Sequence, residues 1–306
     1  MSDLDMQVDL GGIRMKNPVT VASGTFGYGK EYAELIDVTR LGAITVKGIR
    51  LQPWPGNRLP RHVEVPGGMV NAIGLQGPGV EGFARDYMPF LRTTGVPVIV
   101  NIWGTREEEY AEVARRLSEV EGVSGLELNI SCPNVKEGGH AFGTDPLTVA
   151  SLVAAVRRAT RLPLMPKLAP NVPDIRLFVR AAQEAGADAL ALINTLPAMV
   201  IDIETRRPVL ANKVGGLSGP AIHPVAVKLV WEAAQVARVP LLAMGGIVDP
   251  EQAIEFLIAG ASAVAVGTAN FIDPTTPLRV LEGIEAYLRR HGMNTVAALT
   301  GSLRTE

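Results

Sequence analysis

Short apolar runs rich in β-branched residues alternate with longer segments of helical periodicity along most of this chain. The runs occupy residues 18–22, 43–46, 96–100, 125–128, 162–168, 189–193, 239–243 and 263–266, and the clearest helical segments are 107–120, 145–159, 174–185, 224–237, 250–259 and 276–288. Strands that alternate with helices form parallel β/α units. Because eight units close a barrel, the sequence predicts an α/β fold of the (β/α)8 TIM-barrel type. A doubly wound open sheet is the alternative.

Two further features extend this prediction beyond a minimal barrel. The strand-like segments 8–10 and 13–15 flank Gly11-Gly12, which predicts an N-terminal β-hairpin. The connections 48–80 and 194–222 are too long for plain barrel loops, so we expect long active-site loops there. The segment 134–143 contains Gly138-Gly139 and is a shorter candidate lid. No linker divides the chain, and a single domain over residues 1–306 is expected.

Composition and charge limit the classes of partner and the cellular location. The chain has 306 residues, of which 47% are hydrophobic and 20% charged, as in ordinary globular proteins. The net charge is -2 and Lys and Arg form no stripe, so nucleic acid is not an expected partner. The longest apolar run, 189–200, is interrupted by polar residues and is shorter than the ~20 residues of a membrane span. The acidic start lacks the pattern of a secretory signal, and a cytoplasmic location is expected.

Every predicted barrel strand ends in a polar residue or in glycine. These ends carry Ser23-Gly24, Lys47-Gly48, Asn101, Asn129 with Cys132, Lys167, Asn194-Thr195, Gly245-Gly246 and Gly267-Thr268. Any one of them is uninformative alone. Because the active sites of barrels lie at the carboxyl ends of the strands, the set predicts one shared pocket.

The glycine pairs after the seventh and eighth strands indicate a phosphate ligand. Barrels bind phosphate there through backbone N–H groups and a helix N-terminus. Each pair alone could equally form a tight turn between a strand and a helix. The stretch 215–219 reads as a third glycine-rich loop before a helix, but it has neither P-loop nor dinucleotide-binding spacing.

Cys132 and two lysines are the candidate reactive groups. Cys132 is the single cysteine, so an internal disulfide and a CxxC zinc site are excluded. A lone cysteine is most simply a small buried hydrophobe, but the flanking Asn129, Ser131 and Asn134 favour a site. Lys47 and Lys167 lie within apolar runs, where a lysine needs an anionic partner or a shifted pKa unless it reaches the surface. The four histidines share no metal-binding spacing, and no metal is predicted.

Seven stretches, in order along essentially the whole chain, resemble dihydroorotate dehydrogenase. They are Asn17-Pro18 to Gly24, Lys47-Gly48, Asn71-Ala72-Ile73-Gly74-Leu75, Leu128-Asn129-Ile130-Ser131-Cys132-Pro133-Asn134, Ile193-Asn194-Thr195, Gly215-Gly216-Leu217-Ser218-Gly219 and Met244-Gly245-Gly246-Ile247. A cysteine at position 132 resembles class 1, because the membrane-associated class 2 enzymes have serine there. Asn194-Thr195, the segment 201–208 and the segment 215–220 resemble the NAD-linked class 1B catalytic subunit more than the fumarate-using class 1A.

This resemblance implies one FMN per chain and assigns roles to individual residues. The implied FMN-binding residues are Ser23, Lys47, Gly48, Asn101, Asn129, Lys167 and Ile193 around the isoalloxazine, with Gly219, Gly245, Gly246, Gly267 and Thr268 at the phosphate and ribityl end. The implied substrate-binding residues are Lys47, Asn71, Ala72, Ile73, Gly74, Leu75, Asn129, Asn134, Asn194 and Thr195. Cys132 is the implied catalytic base that takes the C5 proton of dihydroorotate while FMN accepts the C6 hydride.

The resemblance also implies partners. A class 1B chain forms a homodimer and a heterotetramer with a second subunit that carries FAD and a [2Fe–2S] cluster. Four other functions stay open on the sequence alone: a class 1A enzyme, a dihydropyrimidine dehydrogenase-like flavin barrel, a sugar-phosphate isomerase or aldolase, and a flavin-binding scaffold without activity.

Overall fold

The computed structural model describes residues 4–130 and 142–305. Its strands, numbered in chain order, are β1 Val8–Leu10, β2 Ile13–Met15, β3 Val19–Val21, β4 Ile44–Ile49, β5 His62–Val65, β6 Gly68–Asn71, β7 Val98–Ile102, β8 Val123–Asn129, β9 Leu164–Leu168, β10 Leu190–Leu192, β11 Leu196–Met199, β12 Ile201–Asp202, β13 Arg207–Pro208, β14 Val214–Ser218, β15 Leu241–Met244 and β16 Ala263–Val266. All eight predicted barrel strands are present among them.

Eight of these strands form a parallel sheet that curls almost into a closed barrel. Their order is β3-β16-β15-β10-β9-β8-β7-β4, and each neighbouring pair is parallel. The two end strands approach each other, because the amide of Gly42 donates to the Val19 carbonyl and the hydroxyl of Thr20 donates to the Ala43 carbonyl at 2.8 Å. The barrel prediction is therefore confirmed, and the open-sheet alternative is wrong.

The alternation of side chains along each strand separates the barrel interior from the helix-facing layer. Small and medium residues such as Ile99, Met165 and Ala265 form an interior cluster. Their chain neighbours, among them Val100 and Leu164, belong to the large cluster shared with the helices. Because successive strand residues point to opposite faces, this parity also fixes which polar residues point inward near the strand ends.

The N-terminal hairpin covers one end of the barrel interior. β1 and β2 pair antiparallel with Leu10 opposite Ile13, as the two-glycine turn predicts. Leu10, Ile13 and Met15 are buried in the interior cluster. A side chain at Gly11 would collide with the Asp188 carbonyl, so the turn requires glycine for close approach as well as for its φ of 65°. Access to the interior is therefore left at the opposite, carboxyl end of the strands.

The helices surround the sheet. They are α1 Gly79–Asp86, α2 Met88–Thr93, α3 Glu107–Leu117, α4 Pro146–Ala159, α5 Ile175–Glu184, α6 His223–Ala234, α7 Pro250–Ala259 and α8 Thr276–Arg290, with 3-10 turns at Val38–Arg40, Phe142–Thr144, Pro220–Ile222, Thr268–Phe271 and Val296–Ala298. The six predicted helices are confirmed within a few residues at their ends, whereas α1 and α2 were not predicted. Across residues 4–130 and 142–305, no helix has both the length and the apolar character needed to cross a membrane.

The two long connections contain a second sheet, which the sequence analysis did not predict. β11, β14, β6 and β5 form a four-stranded antiparallel sheet in that order. The stretch 215–219, interpreted from its glycines as a loop, is mostly strand β14, and Gly216 lies opposite both Asn71 and Pro197. A side chain at Gly216 would collide with Thr195, and one at Gly215 would lie 2.6 Å from the Asn71 carbonyl. These glycines therefore permit close approach within a sheet, which is a known use of glycine in strands.

Candidate active site

A cavity of about 620 Å³ opens at the carboxyl end of the barrel, between the strand ends and the four-stranded sheet. Most of the predicted site residues line it: Ser23, Lys47, Gly48, Asn71, Ile73, Gly74, Leu75, Asn101, Asn129, Lys167, Asn194 and Thr195. They come from six barrel strands or the loops that follow them, from the end of β6 and from the loop after β6. Six of the eight strand ends therefore share one cavity, whereas those of β15 and β16 do not line it.

Lys47 and Lys167 reach this cavity from β4 and β9, which are not neighbours in the sheet. Lys47 lies on β4 and is partly buried, and burial lowers its pKa from the ordinary 10.5, with the positive charge of Arg61 as the next cause. Lys167 lies on β9 and is 5% exposed. Its Nζ is 3.9 Å from the Glu127 carboxylate and 3.4 Å from the Ser23 hydroxyl. Lys167 thus has an ion-pair partner inside the barrel, whereas the surroundings of Lys47 disfavour its charged form.

Glu127 is a functional candidate that the sequence analysis missed. It is fully buried on β8, where its Oε1 accepts hydrogen bonds from the Ser23 hydroxyl at 2.7 Å and the Asn101 side-chain amide at 2.6 Å. The sequence pattern indicates the inward position of Glu127. Leu126-Glu127-Leu128-Asn129 alternates, so Glu127 must share the inward face with Asn129, but the segment had been interpreted only as an apolar strand.

The asparagines at the cavity are held by neighbouring groups. The Tyr110 hydroxyl donates to the Asn129 carbonyl at 2.6 Å, and the Asn194 side-chain amide donates to Asn129 Oδ1 at 3.5 Å. Asn194 Oδ1 in turn accepts from the Thr195 amide at 2.8 Å. On the other wall, the Asn71 side chain donates to the Gly216 carbonyl at 3.4 Å. These contacts orient polar groups from three elements toward one space.

The loop that follows β6 adopts a tightly constrained backbone. Gly74 and Leu75 have φ angles of 76° and 58°, a region that leucine rarely adopts. The Asn57 side chain supports the turn by donating to the Ala72 carbonyl at 3.0 Å. Ala72 itself is fully buried in a small cluster with Val70 and Leu210, outside the lining of the cavity, while its neighbours Ile73, Gly74 and Leu75 belong to that lining.

The glycines predicted to hold phosphate converge beside the cavity instead of lining it. A Cβ at Gly246 would lie 2.9 Å from the Gly219 carbonyl and 2.7 Å from the His223 Cβ, so these segments touch. The Thr268 hydroxyl, next to Gly267, donates to Ser218 Oγ at 2.7 Å, and Ser218 does line the cavity. Ile193, which precedes Asn194, is buried in the core.

His223 supports this glycine cluster from behind. It is the first residue of α6, and its Nδ1 lies 2.9 Å from the Gly245 carbonyl. Because a carbonyl can only accept, Nδ1 carries the proton. Its Nε2 lies 2.5 Å from the Glu255 carboxylate on α7. Through His223, α6 and α7 thus hold the peptide group that joins Gly245 to Gly246.

Some candidate residues lie outside the described part of the chain, and some lining residues were not predicted. Cys132, Ser131 and Asn134 fall between residues 130 and 142, which the structure does not describe. The cavity is also lined by Gly24, which belongs to the predicted strand-end set, and by five residues that were not predicted: Gly27, His62, Met69, Ser218 and Phe271. His62 and Met69 belong to the small sheet, whose strands the sequence analysis had interpreted as loops.

The structure is an eight-stranded α/β barrel in which lysines and asparagines converge at the carboxyl ends of the strands. This arrangement is typical of enzymes with the TIM-barrel fold. The family model described as dihydroorotate dehydrogenase matches residues 5–288. The chain therefore belongs to the dihydroorotate dehydrogenase family, whose members are oxidoreductases.

Curated relatives cover the chain almost from end to end. A protein of Pelobacter propionicus is 54% identical over 299 residues, which is 98% of each chain. A protein of Geotalea daltonii is 53% identical and covers 99% of this chain and 100% of its own length, and one of Geotalea uraniireducens is 52% identical with full coverage of both. All three are named dihydroorotate dehydrogenase B (NAD(+)), catalytic subunit.

Proposed function

We propose that this chain is the catalytic subunit of an NAD+-linked dihydroorotate dehydrogenase, which oxidises dihydroorotate to orotate in pyrimidine biosynthesis. The observation that carries the proposal is the convergence of two lysines and four asparagines in one cavity at the mouth of the barrel. A carboxylated pyrimidine offers one anionic group and several amide-type donors and acceptors, which match ammonium and carboxamide side chains. The whole chain acts as a single FMN-binding domain in this proposal.

The residues around the cavity fit FMN. In the described part of the chain, Asn101 Oδ1 is buried without a hydrogen-bond partner, which suits a ring that carries an N–H donor. A Cβ at Gly48 would lie 2.9 Å from that oxygen, so the backbone comes unusually close there. Ser23, Lys47, Asn101, Asn129, Lys167 and Ile193 would surround the ring. Gly219, Gly245, Gly246, Gly267 and Thr268 would hold the phosphate end through backbone N–H groups.

The chain's own residues bind the substrate and move its proton. Lys47 pairs with the carboxylate of dihydroorotate, and Asn71, Asn129, Asn134, Asn194 and Thr195 hydrogen-bond the pyrimidine. Cys132 takes the proton from C5, which requires a thiolate, so turnover should rise with pH toward the ordinary cysteine pKa of about 8.5. FMN, when bound, supplies the acceptor for the hydride from C6. Lys167 would lie beside the flavin ring, where its positive charge would stabilise negative charge.

Electrons then leave through a second subunit. A single cysteine cannot supply the four thiolates that hold an iron–sulfur cluster, and no segment carries a dinucleotide-binding fingerprint. We infer a partner that carries FAD and a [2Fe–2S] cluster, bound to a homodimer of this chain in the cytoplasm. The word "subunit" in the relatives' names supports this inference.

Steady-state assays of the isolated chain test the proposal. With dihydroorotate as the donor, the purified yellow protein should reduce a dye and should fail to reduce NAD+ at a useful rate. Adding the iron–sulfur/FAD subunit from the same organism should restore NAD+ reduction. Efficient fumarate reduction would move the protein to class 1A, and efficient NAD+ reduction by the chain alone would overturn the electron-relay part of the proposal.

A further inference from the structure

The strongest unassigned feature of the site is the buried carboxylate of Glu127. Charged side chains are almost never fully buried unless they are paired, and this one has no exposed surface. Its three closest polar neighbours, Ser23, Asn101 and Lys167, all line the cavity. The carboxylate therefore touches the cavity only through other residues.

The two oxygens of Glu127 have unequal surroundings. Oε1 accepts from both the Ser23 hydroxyl and the Asn101 amide and lies 3.9 Å from Lys167 Nζ. Oε2 has no hydrogen-bond partner among the residues that the structure describes. All three neighbours thus converge on one oxygen. Because that oxygen receives the Asn101 amide, the Asn101 Oδ1 is left as the acceptor beside the cavity.

The same carboxylate also changes the electrostatics of the cavity. Lys167 contributes a positive charge, and the negative charge of Glu127, which is also buried and lies 3.9 Å away, offsets part of its field. This electrostatic effect of Glu127 is largest where the dielectric constant is low. Any group bound beside Lys167 therefore experiences less positive potential than the lysine alone would give.

We propose that Glu127 is a positioning residue that orients Ser23, Asn101 and Lys167 toward the flavin and, by offsetting the charge of Lys167, lowers the flavin's reduction potential. This inference rests on the proposed function, because it takes the bound group to be FMN. Its two parts, orientation and charge, can be separated by two substitutions at the same position.

Glu127→Gln removes the charge but keeps an oxygen where Oε1 accepts its hydrogen bonds. We expect FMN to remain bound and its midpoint potential to rise, by about 30 mV for a tenfold change in the equilibrium of a two-electron couple. Glu127→Asp keeps the charge but draws the carboxylate back by one methylene. We expect it to weaken FMN binding about tenfold while changing the midpoint potential less than Glu127→Gln does.

Glu109→Gln is the matched control. Glu109 is also poorly exposed and pairs with Arg50 at 2.6 Å, but it does not line the cavity or touch Ser23, Asn101 or Lys167. Potentials are measured by spectroscopic redox titration, FMN affinity by fluorescence titration of the apoprotein, and folding by thermal unfolding of each variant.

The outcomes are distinct. A higher potential in Glu127→Gln with an unchanged one in Glu109→Gln supports the charge effect. Equal potentials and equal FMN affinities in wild type and both Glu127 variants would overturn the inference. Loss of folding in Glu127→Gln alone would assign Glu127 a purely structural role and would also overturn it. A wild-type protein that binds no FMN would instead overturn the proposed function, which is a different result.

Discussion

Lys47 and Lys167 line the same cavity, but only Lys167 has a carboxylate within 4 Å among the described residues. Burial lowers the pKa of Lys47, and the nearby Arg61 lowers it further. A buried lysine whose charged form is disfavoured is well suited to bind an anionic ligand, because the ligand supplies the missing negative charge. This difference supports the proposed pairing of Lys47 with the substrate carboxylate.

Lys47→Ala should therefore raise the KM for dihydroorotate more than the KM for an analogue that lacks the carboxylate. Loss of a charge-assisted hydrogen bond of about 1.5–3 kcal/mol corresponds to roughly a 10- to 150-fold effect. Steady-state kinetics with both substrates measure it. Lys228→Ala, on the outer face of α6, is the control and should behave as wild type. Equal losses for both substrates would mean that Lys47 serves the flavin or the fold.

Lys47→Met should raise the thermal stability of the apoprotein at neutral pH. The pKa of Lys47 is lower in the folded state than the ordinary 10.5. At pH values between the folded-state pKa and 10.5, the unfolded chain therefore binds more protons than the folded one. The free energy of unfolding therefore rises with pH across that window. The destabilisation caused by burying the charged lysine is fully present at lower pH. Thermal unfolding from pH 7 to 10 should show the variant's advantage shrinking as pH rises. A lower melting temperature at pH 7 would contradict this view of Lys47.

Gly246→Ala should lose affinity for FMN. Its new Cβ would lie 2.7 Å from the His223 Cβ and 2.9 Å from the Gly219 carbonyl, and the residue has a φ of 72°. Gly95→Ala is the matched control, because Gly95 has a φ of 65° with no atom within 4 Å of the new Cβ. Both variants carry the left-handed strain of about 1–2 kcal/mol, but only Gly246→Ala crowds the glycine cluster. Urea unfolding and FMN titration compare them, and equal FMN affinities would exclude this cluster from the phosphate site.

Cys132→Ala should retain FMN and lose dihydroorotate oxidation by roughly 10²- to 10⁴-fold, the usual contribution of a positioned general base. Cys132→Ser should keep a small residual rate, because a hydroxyl is a much poorer base. The flavin absorbance of each purified variant reports cofactor binding, and dye reduction reports turnover. Near-wild-type turnover in Cys132→Ala would remove this thiol from the mechanism.

Local sequence patterns predicted the barrel, the hairpin and the lining residues at the strand ends, whereas the loop after β6 was predicted only from the resemblance to the family. Strand alternation and helical periodicity are local, so they are readable without knowing what pairs with what. The four-stranded sheet was missed because its pairing is not local: the Asn71 side chain contacts the Gly216 carbonyl across 145 positions of sequence. Glu127 was missed for another reason, since a buried carboxylate has meaning only once Ser23, Asn101 and Lys167 are placed around it.

That small sheet has a consequence for synthesis on the ribosome. β6 can pair with β5 once residue 71 has been made, but the partner of its other edge, β14 at residues 214–218, is made later. A two-stranded hairpin is marginally stable in water, and an open strand edge can pair with another chain. The nascent protein therefore exposes this edge while the whole stretch between β6 and β14 is translated. During that interval the unpaired edge of β6 is open to pairing with another chain or to binding by a chaperone.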